Sequence, residues 1–228
     1  MKKIIALLLA ALMMFMLVSC GDDTNVRGEI GGNDATNSDA AASESTDSEA
    51  GLELGSSSNN TYENKFLGIG CKLDSNWTFL SDAEIREANN LTQDLLDDEL
   101  AEQLENASVI YDMQATKADS SANIVLNIEK IGSLSGALMS EEEYANSTLD
   151  GLKSGLESAG LSNIEASVTS VTFAGKEHAA IVVSGEAYGV KVYEKIVCFK
   201  KGKYVAAVAF ASYVNDTTDE MLSYFYAL

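Results

Sequence analysis

The sequence predicts an α+β domain over residues 61–228: a largely antiparallel β-sheet of about six or seven strands with helices packed on both faces. Three observations point there. Ser81-x-x-Glu84, Ser140-x-x-Glu143 and Thr217-x-x-Glu220 are capping-box signatures, in which a hydroxyl and a carboxylate satisfy backbone N–H groups at a helix start. Between them lie runs of alternating apolar and polar residues, bounded by turn-forming residues, which is the pattern of half-buried strands. The segment Val205-Ala206-Ala207-Val208-Ala209-Phe210-Ala211 is apolar on both faces, so it belongs mid-sheet with cover on each side.

In chain order, Tyr62 to Phe66 is a short strand and Leu67 to Leu73 a second, with Ile69, Cys71 and Leu73 on one face. Asp74-Ser75-Asn76 supplies turn chemistry ahead of Trp77-Thr78-Phe79. The box at Ser81 opens a helix, and a second helix spans about 92–106 with Leu96, Leu100, Leu104 and Ala107 on one stripe. Ser108 to Lys117 and Ala122 to Ile131 are strands joined by the Ala118-Asp119-Ser120-Ser121 turn. The box at Ser140 opens a long helix carrying Ala145, Leu149, Leu152, Leu156 and Ala159, closed by Gly160. Gly151 and Gly155 each cost that helix about 1 kcal/mol relative to Ala. Strands follow at 163–173, 177–184, 190–199 and 204–214, turning at Gly175, Gly185/Gly189 and Gly202. The box at Thr217 predicts a C-terminal helix docked by Met221, Leu222 and Phe225.

The run Phe66-Leu67-Gly68-Ile69-Gly70-Cys71-Lys72-Leu73-Asp74-Ser75-Asn76-Trp77 resembles the opening of PsbP-like (DcrB-like) domains. In that family a short strand leads to Leu-Gly-Ile/Val, alternating apolar residues, a turn and a Trp. A helix pair, a hairpin, a long helix, an antiparallel meander and a last helix follow, as here. The resemblance covers about 61–228 and departs at Asp74, where the family has Pro. It implies the fold. Members of the superfamily bind different partners, among them a photosystem and a small GTPase, so the resemblance implies no function and no site residue.

Lys2 and Lys3 precede an unbroken apolar run, Ile4 to Val18, which is too short for a membrane span and suits the core of an export signal. The run ends in Leu17-Val18-Ser19-Cys20, which resembles the lipobox of bacterial lipoproteins. That resemblance implies diacylglycerol transfer to the Cys20 thiol, cleavage between Ser19 and Cys20, and a lipid-anchored place on the outer, extracytoplasmic face of the cell membrane. Residues 1–19 are then a signal peptide. Residues 20–60 form the lipidated Cys and an acidic linker. In 21–60 there is no aromatic residue, and nine acids stand against Arg27 alone, too little apolar surface to offset chain entropy. A flexible chain of that length spans roughly 35 Å.

Composition excludes several functions. A net charge of −20, from 15 Lys+Arg against 35 Asp+Glu, rules out sequence-independent nucleic-acid binding, which needs Lys and Arg to neutralise phosphates. One His and three Cys without C-x-x-C spacing do not make a zinc site, and no cofactor motif is present. There is no G-x-S-x-G and no Ser-x-x-Lys. His178, the single His, is read as structural or superficial unless a distant Ser or Cys meets it. Cys71 and Cys198 are either a disulfide or two buried small apolar groups. Asp94, Asp97, Asp98, Glu99, Glu102 and Glu105 crowd one helix without calcium-loop spacing, and read as a solvated face or a weak divalent-ion site. Lys191, Lys195, Lys200, Lys201 and Lys203 form a local reversal of charge, with the last three at a hairpin tip. They either blunt a sheet edge or contact an anionic partner.

Together these features describe a non-enzymatic binding or adaptor lipoprotein. Its partners are the bilayer, through acylated Cys20, and an envelope protein or anionic polymer. An envelope hydrolase and a small-ligand or metal-ion receptor are the alternatives. A nucleophile beside His178 would favour the hydrolase. A pocket with convergent polar groups would favour the receptor.

Overall fold

The computed structural model describes residues 52–92, 97–131 and 138–228. The expected signal peptide, Ser19, Cys20 and the linker up to residue 51 lie outside them, as do Asp94 and Leu96. Among the described residues there are eleven strands and four helices. In chain order they are β1 (Ser56–Ser58), β2 (Thr61–Asn64), β3 (Ile69–Lys72), β4 (Trp77–Phe79), α1 (Asp82–Ala88), α2 (Asp97–Asn106), β5 (Val109–Lys117), β6 (Ala122–Lys130), α3 (Glu141–Ser158), β7 (Ser162–Phe173), β8 (Lys176–Ala187), β9 (Val190–Lys201), β10 (Tyr204–Tyr213), α4 (Thr218–Leu222) and β11 (Phe225–Ala227).

The fold is α+β and its main sheet is antiparallel throughout, seven strands in the order β4-β5-β6-β10-β9-β8-β7. The doubly apolar segment 205–211 is in β10, the middle strand, as its pattern predicts. Both faces are covered. On one, Tyr144, Ala145, Leu152, Leu156 and Ala159 of α3 pack on Ile181, Val183, Ile196 and Val205. On the same face Ile85 of α1 packs on Tyr111 and Val125. On the other, Leu104 of α2 and Met221 and Leu222 of α4 join a core with Phe173, Phe199 and Phe210. The boxes at Ser81 and Ser140 form in full: each hydroxyl accepts from the backbone N–H three residues on, and each Glu carboxylate accepts from the Ser N–H. Gly160, at φ +92°, ends α3 in the left-handed conformation that glycine adopts without strain.

Three expectations are corrected. First, the domain starts before residue 61. Leu52 is buried, and β1 pairs with β2 in a second, four-stranded sheet of order β1-β2-β3-β11. Ser56–Ser58 has no apolar residue to announce a strand. Second, Thr217-x-x-Glu220 does not form a capping box. Thr217 makes no side-chain cap, Asp216 Oδ1 accepts from the Thr218 N–H at 3.0 Å, and α4 has only five residues. Third, Phe225 belongs to a strand and not a helix: β11 pairs with β3 (Phe225↔Cys71) and places the Phe225 ring 5.0 Å from Phe173.

A buried polar clasp joins the N-terminal segment to the main sheet. A bulge between Tyr111 and Met113 leaves Asp112 unpaired in the ladder. Its carboxylate accepts from Tyr62 Oη, from Asn64 Nδ2 at 2.7 Å and from Gly55 N–H at 2.7 Å. Burial pushes the Asp112 carboxyl up, while those three donors pull it back. Position 55 must be glycine, because a Cβ there would lie 2.3 Å from the Tyr62 ring.

Candidate functional site

His178 is half-buried and faces a carboxylate. The β8–β9 ladder stops at Ala179↔Cys198, whereas β8 stays paired with β7 to Lys176 and β9 with β10 to Lys201. The strands part there, and Glu141, the first residue of α3, fills the fork. Its Oε1 accepts from the Lys200 N–H at 2.9 Å, and its two oxygens lie 3.2 and 3.1 Å from His178 Nδ1. The imidazole rests on Phe199 and Phe173, with centroids at 5.3 and 6.4 Å. This is a base with an orienting carboxylate. Among the described residues, no Ser, Thr or Cys hydrogen-bonds its ring.

The cysteines do not complete it. Cys198 pairs with Ala179, the residue after His178, so strand alternation sends its side chain to the α3 face and the imidazole to the other. Cys71 lies in the opposite core, in β3. Both thiols are free and fully buried, and burial first of all pushes Cys198 up to about 12 and Cys71 higher. Neither is a nucleophile at neutral pH.

The lysine cluster is dispersed. Lys195 is buried on the α4 side and reaches Asp219. Lys200 Nζ donates to the Met139 carbonyl, and Lys203 Nζ donates to Glu105 at 2.8 Å while lying 5.6 Å from the Tyr204 ring centroid. Lys201 is half-buried at the strand end, and Lys191 is exposed at the other end of β9, about 30 Å away along the strand. The turn at Gly202-Lys203 forms as expected, but the five cations do not make one surface. On the acidic helix, Glu105 is the partner of Lys203. Among the described residues no group of three or more His, Cys, Asp or Glu is placed to hold a metal ion. An open cleft of about 420 Å³ lies between the Ala174-Gly175 turn and α4, with Asp219 and Phe225 in its wall.

The unexpected feature is a set of polar groups on the α3 face of the main sheet. Glu194 is 4% exposed and burial alone pushes its carboxyl up to about 7. Asn123 is 3% exposed, and its Oδ1 has no partner. Asn127 Oδ1 and Tyr213 Oη are also buried without partners. Burial, and then the nearby Glu194 charge, pushes the Tyr213 hydroxyl up. A signal for this was present in the sequence. Val192, Glu194, Ile196 and Cys198 share one strand face, as do Asn123, Val125 and Asn127, so alternation alone turns Glu194 and both Asn residues inward.

No known family's sequence profile matches the chain, and no curated protein matches it. Among solved structures, the chain is similar to a protein from Bacteroides thetaiotaomicron VPI-5482, with 10% identity and a TM-score of 0.38. That alignment covers 74% of this chain and spans just under half, 48%, of the other.

Proposed function

We propose that this chain is a lipid-anchored, extracytoplasmic binding module of the bacterial envelope, with a PsbP-like body. The observation that carries the reading is the lipobox-like Leu17-Val18-Ser19-Cys20 behind a charged and then apolar leader. Between Cys20 and Leu52, the first described residue and a buried one, runs an acidic stretch that we read as a tether of roughly 30 Å. Two or three acyl chains at Cys20 hold such a module on the bilayer, where a single chain would not. A binding role is supported over a hydrolytic one by the His178–Glu141 pair, which has a base and an orienter but no hydrogen-bonded nucleophile among the described residues.

The test is fractionation of cells expressing the wild type or Cys20→Ala, with mass determination of the N-terminus. The wild type is expected in the membrane fraction with acylated Cys20 at its N-terminus. Cys20→Ala is expected either in the soluble fraction or as an unprocessed precursor. If Cys20→Ala is cleaved and membrane-retained like the wild type, the anchor reading is wrong.

A further inference from the structure

The free edge of the main sheet carries the inference. Its two edge strands are unlike: β4 has 3 residues and β7 has 12, of which only Phe173 is buried. The Ala174-Gly175 turn sets which groups of β7 face outward. Both residues have positive φ, +46° and +81°, so the two-residue loop is a type I′ turn closed by the Phe173↔Lys176 pair. Hydrogen-bonded and non-bonded pairs alternate from there, and the register is unbroken back to Glu165. Phe173, Val171, Thr169, Ser167 and Glu165 therefore bond to β8. Thr172, Ser170, Val168 and Ala166 turn their N–H and C=O groups away from it. Among the described residues nothing bonds to those outward groups.

Sheet edges of this length are normally blunted by Lys, Pro or a bulge. β7 has no Lys, Arg or Pro, and its register shift lies at the far end, between Ser162 and Glu165. Residues 165–173 are left as a straight template of roughly 30 Å. The charge beside it is mostly acidic. Tyr144 of α3 reaches Glu129 on β6, so the flank of α3 opposite Tyr144 stands on the β7 side. The helical repeat puts Glu142, Asp150 and Glu157 on that flank, against Lys153 alone. Glu165 is the one charge on β7, and at the hairpin tip Lys176 is offset by Glu177. A second copy would set acid against acid along this edge, and the acidic stretch before Leu52 meets the same repulsion. A basic strand is attracted instead. On the other face, the cleft of about 420 Å³ adjoins the edge at Val171 and Thr172 and is walled by Leu222 and Phe225, so it has room for an apolar side chain.

We propose that the β7 edge takes up an extended basic segment of a partner protein as an eighth strand of the main sheet. The outward backbone groups of Ala166, Val168, Ser170 and Thr172 supply the ladder. Lys or Arg at alternate positions of the added strand lie on the α3 side with its carboxylates, and apolar residues between them lie on the cleft side. The proposal rests on the reading of the body as a binding module and names its partner class. It does not depend on the anchor, so failure at Cys20 and failure at β7 are separate results.

The experiment is amide hydrogen exchange and calorimetric titration of the full-length mature lipoprotein in neutral detergent micelles at pH 7 and about physiological ionic strength. The probes are end-blocked nonapeptides of alternating Lys and Val, alternating Glu and Val, and alternating Lys and Pro. The last has the charge of the first but cannot form a strand. The Lys/Val peptide is expected to bind one per chain and to slow exchange of the outward β7 amides at least tenfold, with β5 and β6 unchanged. The other two are expected to do neither. Ser170→Pro removes one outward N–H without touching the β8 ladder, and should weaken binding at least tenfold. Ser170→Ala loses only the hydroxyl bond to Glu177 and should bind as the wild type does. The chain carries net charge −20, so cationic peptides also gather loosely at its surface, but that attraction treats Lys/Val and Lys/Pro alike. Folding of each variant is read from fluorescence of Trp77, the single Trp, which is buried. Should Ser170→Pro not fold, the exchange map of the wild type decides. The proposal fails if Lys/Val leaves β7 exchange unchanged, if Lys/Pro binds equally well, or if folded Ser170→Pro binds as the wild type does. It fails too if the outward amides are already protected in the free protein, because the chain's own residues or a second copy then fill the edge.

Discussion

The Glu194→Gln substitution tests the energetics of the buried row. Burial moves the Glu194 carboxyl from its ordinary 4.5 to about 7. A raised value in the folded state means that the folded chain holds this proton more tightly than the unfolded chain. The contribution of this group to stability is therefore greatest below pH 4.5 and falls as pH rises through 4.5 to about 7, where the folded carboxyl finally ionises. The shift corresponds to about 3 kcal/mol, fully expressed above pH 7. Gln has the shape of the protonated acid and does not titrate. The variant and the wild type should therefore be nearly equal in stability at pH 4.5, and the variant more stable by about 3 kcal/mol at pH 8. For a domain of this size that is roughly 6–12 °C in Tm. Urea denaturation at pH 4.5, 6, 7 and 8, followed by Trp77 fluorescence, measures the difference. The buried Asp112 has a slope of the same sign in both proteins, and the difference curve cancels it. Parallel pH profiles for the two proteins, or a wild type that gains on the variant as pH rises, would refute the argument.

Three further outcomes follow from the geometry. Asp112→Ala removes the shared acceptor of Tyr62 Oη, Asn64 Nδ2 and the Gly55 N–H, and should cost about 3–5 kcal/mol in urea denaturation, with Asp112→Asn costing less because the amide oxygen still accepts. Equal costs for the two would mean the clasp is held by packing alone. Glu141→Ala leaves the Lys200 N–H without its acceptor and should speed hydrogen exchange in the peptide containing residues 199–201 while leaving β10 protected; unchanged exchange there would show that the fork does not depend on the carboxylate. Limited proteolysis should trim the chain up to Leu52 and no further, since Leu52 is buried and Gly55 is bonded to Asp112, and a stable fragment starting near Thr61 would contradict that boundary.

How much of this was legible in the sequence depended on how far apart the interacting residues lie. The boxes at Ser81 and Ser140, the Gly160 stop and the turn at Gly202 each involve residues within a few positions, and all were readable. The box at Thr217 has the same letters. It failed because Thr217 takes φ −121° and ψ 16°, outside the extended conformation a cap needs, and because Asp216 takes the Thr218 N–H. The second sheet was invisible for a different reason. Its strand β11 exists because Phe225 pairs with Cys71, and its strand β1 because Ser56–Ser58 pairs with β2, while the local composition of β1 proposes nothing.

The lysine cluster and the buried row show the same lesson from opposite sides. Five lysines within thirteen residues look like one patch only while the chain is read as a line. On a strand, neighbouring side chains leave by opposite faces, so Lys195 went inward to Asp219 and Lys200 toward α3. Glu194 is the one carboxylate in that same stretch. The alternation that scattered the lysines set Glu194 beside Ala211, opposite Asn123. A polar side chain turned into a sheet face costs stability unless something satisfies it. Here burial alone raises the Glu194 carboxyl, and Asn123 Oδ1 and Tyr213 Oη have no partner among the described residues, so the row is a cost that the packing of α1 and α3 on this face must outweigh.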